Sequence, residues 1–164
     1  ESHLVMSEGA RRTLACETGL AAEQVIALAD HFHPIGAMAA TISSGSFRTA
    51  GMVVMPCSMK TLAGVVAGYT DNLLLRAVDV CLKEQRRVVL LPRELPLSRI
   101  HLRNMAQAAN DGCTIMPPVL TFYNHPETVQ DMINHLVGKV MLAFGLTFRS
   151  FVPWTGDSRS HAGD

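Results

Sequence analysis

Much that would narrow the function of this 164-residue chain is missing from it. It carries no net charge, since Lys+Arg and Asp+Glu both total 14, so it exerts no global pull on nucleic acid or an anionic membrane. Partners have to be sought at local sites. Its four cysteines (Cys16, Cys57, Cys81, Cys113) include no C-x-x-C pair and sit singly in apolar or helical stretches. That excludes a disulfide framework and reads as reduced thiols of a cytoplasmic protein. No apolar run reaches the roughly 18 residues of a membrane span. The opening ESHLVMSEGA lacks the basic-then-apolar layout of a secretion leader. Neither G-x-G-x-x-G nor G-x-x-x-x-G-K-[ST] occurs, which removes the usual arguments for a dinucleotide or a nucleoside triphosphate. No internal repeat is visible. What is abundant is apolar residue: 48% hydrophobic against 17% charged, with nine Met. The length suits one domain with a real core, and the excess of apolar residues predicts surface buried between copies in a homo-oligomer.

Three short apolar runs recur, VVMP at 53–56, VVLLP at 88–92 and TIMPP at 114–118. None alternates with polar residues, so each predicts a strand covered on both faces. Helical patterns lie between them, from Lys60 to Arg86 with a break near Gly68, and from Leu97 to Asn110, stopped by Asp111-Gly112. HLVMS at 3–7 followed by EGARRTLACETG adds a unit in front. Strand and helix in alternation imply right-handed crossovers and a parallel sheet with helices on both sides, a doubly wound α/β fold. After Pro126, residues Val129, Met132, Ile133, Leu136, Val137, Val140, Met141 and Phe144 keep helical spacing, so one face of that helix should be buried. The division expected is a domain over 1–149 and a Ser/Gly/charge-rich tail over 150–164 with Trp154 as its one anchor.

In such a sheet ligands bind beyond the carboxyl ends of the strands. There the chain reads Pro-Cys-Ser-Met-Lys-Thr after the first of the three runs, Pro-Arg-Glu-Leu-Pro after the second, and Pro-Pro-Val-Leu-Thr-Phe-Tyr after the third. Ser58 can cap a helix while its hydroxyl and the amides of residues 59–61 face an anion, or it can be an ordinary cap beside a solvated Lys60. Arg93-Glu94 is either a surface ion pair or a phosphate ligand beside a proton-handling carboxyl. SSGSF at 43–47 is a connector or a wall over a ligand. His31-Phe32-His33 sets two imidazoles on one side of a strand, without a third ligand of convincing spacing, so no metal is expected.

MVVMPCSMKTLAG, DNLLLRAVDVCLKEQRRVVLLPRELPLSRIHLRNM and IMPPVLTFYNHPETVQDMINHLVGKV, in this order and spacing, closely resemble the UbiX/Pad-type flavin prenyltransferases, once described as phenylacrylic or hydroxybenzoate decarboxylases. The likeness runs from about Glu1 to about Gly145. It implies a flavodoxin-like (Rossmann-like) domain that binds FMN and joins a dimethylallyl group from dimethylallyl phosphate to flavin N5 and C6, making prenylated FMN for a UbiD-type decarboxylase. It implies further that Ser7, Ser58, Met59, Lys60, Thr61 and Arg93 hold FMN, and that Tyr123, Lys139 and, from a neighbouring subunit, Lys83 hold the allylic phosphate. Glu94 is then the proton-handling carboxyl, no metal takes part, and the assembly is a dodecamer. The chain departs from the family pattern twice. The family opens with a further strand and a GxSGAS-type loop, whereas this chain starts at the next strand; and Lys139 stands where the family usually carries arginine, which binds phosphate through a planar fork rather than a point charge. Those departures motivate a second reading, a non-catalytic FMN-binding or assembly subunit of an aromatic-acid decarboxylase system. Direct aromatic-acid decarboxylation is a third, for which the sequence offers no electron sink of its own.

Overall fold

Small polar residues start most of the helices. Ser7 Oγ accepts from the Ala10 amide at 3.1 Å, Ser58 Oγ from Thr61 at 3.2 Å, Asn72 Oδ1 from Leu75 at 3.1 Å and Ser98 Oγ from His101 at 3.2 Å. Each satisfies an amide that the first helical turn leaves without a partner. The computed structural model describes residues 1–154 and divides into two units, Glu1–Met116 and the segment from Pro117 onward. The first unit runs β1 (His3–Met6), α1 (Glu8–Thr18), α2 (Ala22–Ile26), β2 (His31–Pro34), a 3-10 turn at Thr41–Ser43, β3 (Gly51–Cys57), α3 (Met59–Val66), α4 (Leu73–Lys83), β4 (Arg87–Pro92), α5 (Arg99–Asn110) and β5 (Cys113–Ile115). The break expected near Gly68 is there, with Gly68 at φ 63°.

All strand pairings are parallel, but they form two ladders, β1-β2 and β3-β4-β5, rather than one sheet. Helix α4 packs against β1, β3 and β4 alike. In β4 the expectation of a strand covered on both faces is met in full, Val88, Val89, Leu90 and Leu91 all being buried. Leu62 of α3, Val78 of α4 and Ala108 of α5 close around Val88 and Leu90. β3 departs from that expectation. Val54 is buried, yet Val53 and Met55 are 37% and 54% exposed, because the face they share has little cover among the described residues. β5 is shorter than the TIMPP run and ends at Ile115; Pro117 and Pro118 lack the amide proton that a ladder uses.

The SSGSF stretch is tied down by two arginines. Arg76 Nε donates to the Ser43 carbonyl at 3.2 Å, while Arg86 donates from Nη1 to the Phe47 carbonyl at 2.7 Å and from Nη2 to the Gly45 carbonyl.

In the second unit, α6 (Val129–Ala143) begins with a reciprocal cap. The Asp131 amide donates to Thr128 Oγ1 at 3.1 Å, and Asp131 Oδ2 accepts from the Thr128 amide at 2.9 Å and its hydroxyl at 2.7 Å. Those bonds hold the Asp131 carboxyl below the usual carboxylate range. The helix buries the face its apolar spacing marks only in part: Val140 is buried and Met132, Leu136, Val137, Met141 and Phe144 are half-buried. His135, Gly138 and Val140 are the buried residues, whereas Val129 is 71% and Ile133 45% exposed. Phe151 lies on Gly138 so closely that a Cβ there would meet its ring and its own Cβ. Trp154 stands edge-on to Tyr123 at 5.9 Å between ring centres. The rest of the tail expected over 150–164, from residue 155 on, lies outside the described residues. Among the described residues no helix is long and apolar enough to cross a membrane.

Candidate functional site

The turn from β3 into α3 is the best-built anion-binding candidate. Ser58 is extended (φ −70°, ψ 156°), so its side chain folds back over the first turn. Its Oγ accepts from the Thr61 amide and lies 3.1 Å from Thr61 Oγ1. The amides of Met59 and Lys60 are then the first-turn N–H groups without an acceptor inside the helix, at the positive end of its dipole. The Met59 side chain packs on the core, so Met59 can serve an anion only through its amide. Lys60 is exposed. Cys57, next in line, is fully buried, and burial pushes its thiol up to about 12; it is a packing residue and no nucleophile.

Ser7, at the carboxyl end of β1, uses its hydroxyl to cap α1 in the same way that Ser58 caps α3. Arg93 and Glu94 follow β4, and they do not pair with each other. Arg93 Nη2 reaches Glu17 Oε1 of α1 at 3.3 Å, and Glu94 Oε1 accepts from the Leu95 amide at 3.3 Å. Both contacts are exposed and weak. Among the described residues no hydrogen bond or ion pair joins Ser7, the Ser58 turn and Arg93; they are related by lying at strand ends. Lys83, the last residue of α4, is paired with Glu84, whose carboxyl it holds below its ordinary range by hydrogen bond and charge. The pair is tucked against Gly45, where a Cβ would collide with Glu84 Oε1 and stand 2.7 Å from Lys83 Nζ.

In the second unit, Tyr123 is half-exposed, and its hydroxyl lies 3.0 Å from His135 Nε2 in a bond between a rim residue and a buried one. His135 Nδ1 is buried with no hydrogen-bond partner among the described residues, and its ring is also in contact with Phe151. Lys139 is exposed one position after the buried Gly138, and among the described residues its side chain makes no hydrogen bond or ion pair.

Three residues with positioning roles escape the sequence reading. Arg76 and Arg86 hold the SSGSF loop through its carbonyls, and His135 orients the Tyr123 hydroxyl. In LLLRAVDVCL, Asp79 accepts from Arg76 Nη1 at 2.8 Å, and the available pointer to the loop was that a guanidinium has more donors than this one carboxylate takes up.

A doubly wound parallel α/β unit with a serine-capped, cation-flanked turn beyond a strand end defines a nucleotide- or flavin-phosphate-binding class of protein. The flavoprotein family pattern matches residues 2–141. A probable UbiX-like flavin prenyltransferase of Sedimentibacter hydroxybenzoicus is 55% identical over 156 residues, covering 95% of this chain and 82% of that protein. Flavin prenyltransferase UbiX of Escherichia coli (strain K12) is 52% identical over 158 residues, covering 95% and 84%. Among solved structures, a dodecameric FMN-dependent UbiX-like decarboxylase from Escherichia coli O157:H7 superposes with TM-score 0.92 at 55% identity, covering 95% of this chain and 84% of that one. AnUbiX (PadA1) in complex with FMN and dimethylallyl pyrophosphate superposes with TM-score 0.92 at 49% identity, covering 94% and 82%. This chain belongs to the UbiX-like flavin prenyltransferases of the flavoprotein family, with their flavodoxin-like fold.

Proposed function

We propose that the chain is a metal-independent prenyltransferase that moves a dimethylallyl group from dimethylallyl phosphate onto N5 and C6 of reduced FMN, forming prenylated FMN for a UbiD-type decarboxylase. The observation that carries this reading is identity above half to flavin prenyltransferases across 95% of the chain. A relative of the same fold holding both FMN and dimethylallyl pyrophosphate supports it from the ligand side. The assembly subunit and the direct decarboxylase are correspondingly disfavoured.

The donor set of the chain suits the cofactor. First-turn amides of Met59 and Lys60 with the Ser58 and Thr61 hydroxyls match a phosphate, and Ser7 and Arg93 at neighbouring strand ends complete the FMN set. When bound, reduced FMN supplies the electron-rich ring that accepts the allylic group. Tyr123, Lys139 and Lys83 stabilise the leaving phosphate as its charge develops, with His135 holding the Tyr123 hydroxyl in place. Glu94 has Oε1 committed to the Leu95 amide, which leaves Oε2 to take up the proton that the reaction releases. Lys83 serves a neighbouring subunit's site in a homododecamer, a reading supported by the exposed apolar residues of β3 and α6 and by the dodecameric relative. Three buried free thiols favour the cytoplasm as its compartment.

The test is to mix purified protein with FMN, a reductant and dimethylallyl phosphate and to weigh the flavin. A flavin heavier by one five-carbon unit is the expected result. FMN bound but unaltered would point to the assembly subunit, and carbon dioxide released from an aromatic acid by the protein alone would point to the decarboxylase.

A further inference from the structure

His31 and His33 share one face of β2, because alternate residues of a strand project to the same side. Phe32 takes the opposite face, where the Arg11 guanidinium lies 5.5 Å from its ring centre. Parallel register sets His3 of β1 beside His31. Three imidazoles therefore meet on one side of the two-stranded ladder. His3 Nδ1 lies 2.9 Å from His33 Nε2, and the His3 and His31 rings are 4.6 Å apart between centroids. Glu1 Oε1 closes the group at 2.7 Å from His31 Nε2. Glu1, His3 and His31 each offer a ligand atom within 4.8 Å of the others, and the edge of Phe47, 5.2 Å from His3, walls the cluster.

We propose that Glu1, His3, His31 and His33 form a site for one late first-row divalent cation of the zinc class, a site that prenyl transfer does not use. The third ligand that the H-x-H spacing lacks comes from the neighbouring strand, and a carboxylate provides the fourth. Imidazole nitrogens with one carboxylate oxygen select Zn²⁺, Co²⁺, Ni²⁺ or Cu²⁺ over Mg²⁺ and Ca²⁺, which want oxygen. With bonds of about 2.0–2.1 Å, neighbouring donors on a tetrahedral ion stand about 3.3 Å apart. The two donor pairs in direct contact, at 2.7 and 2.9 Å, stand a little inside that value, and the ligand atoms of Glu1, His3 and His31 all lie within 4.8 Å of one another, so the site closes by turning side chains on a backbone already in register. Stacked rings aim their lone pairs side by side, so uptake must turn at least one ring out of the stack. His31, the most exposed of the three, has the room to do so. The ion takes the place of the proton shared between His3 and His33, turning an N–H···N contact into two bonds to metal.

The experiment uses untagged protein titrated with Co²⁺, whose visible bands report a tetrahedral nitrogen and oxygen shell, followed by displacement with Zn²⁺. One Co²⁺ per chain with dissociation in the micromolar range, silence toward Mg²⁺, and affinity weakened at least about tenfold in His31→Asn and in His33→Asn support the site. Imidazole ¹⁵N resonances of the unaltered protein supply a readout that does not depend on how the variants fold: Zn²⁺ should shift His3, His31 and His33 and leave His101 and His125 in place. Absence of stoichiometric uptake at about 100 μM metal, well above the affinity proposed, overturns the proposal. So does equal uptake by the His31→Asn/His33→Asn variant, or shifts confined to other histidines.

Discussion

Replacing Ser58 by aspartate separates two tasks that the native side chain can perform together. As a cap, Ser58 satisfies the Thr61 amide at 3.2 Å. Alanine loses that bond and should cost about 1 kcal/mol, or about 3 °C in melting temperature for a chain of this size. Aspartate caps as well as serine, so Ser58→Asp should melt with the native protein. The phosphate of FMN sees the same pair differently. Alanine removes one hydroxyl donor to a charged group, worth about 1.5–3 kcal/mol, or a loss of about 10- to 100-fold in affinity. Aspartate removes the donor and adds a carboxylate beside the phosphate. Two unit charges about 4 Å apart repel by about 4 kcal/mol at an effective dielectric near 20. Screening at this exposed turn reduces that to about 1–2 kcal/mol, a further factor of about 5–30. Stability and affinity should therefore part company: native-like melting with FMN affinity down by at least about 50-fold in Ser58→Asp. Thermal unfolding by circular dichroism gives the first quantity, and quenching of FMN fluorescence the second. If Ser58→Asp binds FMN like the native protein, the turn is a helix cap and nothing more, and the phosphate lies elsewhere.

Glu94→Gln should keep FMN and allylic-phosphate binding while slowing turnover by about 10²- to 10⁴-fold in single-turnover measurements; unchanged turnover returns Glu94 to the bond with the Leu95 amide alone. Lys139→Arg should lower KM for dimethylallyl phosphate about tenfold by replacing a point charge with a fork, and Lys139→Ala should raise it; identical steady-state kinetics for all three would make Lys139 a solvated helix residue. In the native protein one thiol, the exposed Cys16, should react quickly with a disulfide reagent near neutral pH, and all four only after unfolding. Burial pushes Cys113 up to about 11 and Cys57 up to about 12, so their reactive thiolates are scarce until the pH approaches those values; rapid titration of a second thiol below pH 8 would contradict the packing described.

Where residue type and local order suffice, the sequence is a good guide. Ser58 before an apolar helical stretch is legible as a cap because capping involves only the next three residues. VVLLP is legible as a doubly covered strand because every neighbour it needs lies in the same unit. The apolar stripe of α6 misleads at its first two turns for the converse reason. Its spacing says that something should cover Val129 and Ile133, and spacing cannot say whether the cover belongs to the same chain. Adjacency misleads at Arg93-Glu94, since consecutive side chains leave the backbone in different directions, one toward Glu17 and one back to the chain. The cluster of histidines eludes any reading by spacing, because His3 joins His31 and His33 through strand register across about thirty residues of chain.

The division of the strands into two ladders has a kinetic consequence. β4 has a hydrogen-bonded neighbour on each side and four buried residues, so its amides should exchange with deuterium only when the whole unit opens. Among the described residues β1 and β2 pair only with each other, and a two-stranded ladder is marginal on its own. Their amides should exchange through small local openings long before those of β4, making this the part of the molecule that breathes. A divalent ion bridging His3 to His31 and His33 would clamp just that ladder, slowing exchange in β1 and β2 while β4 keeps its pace.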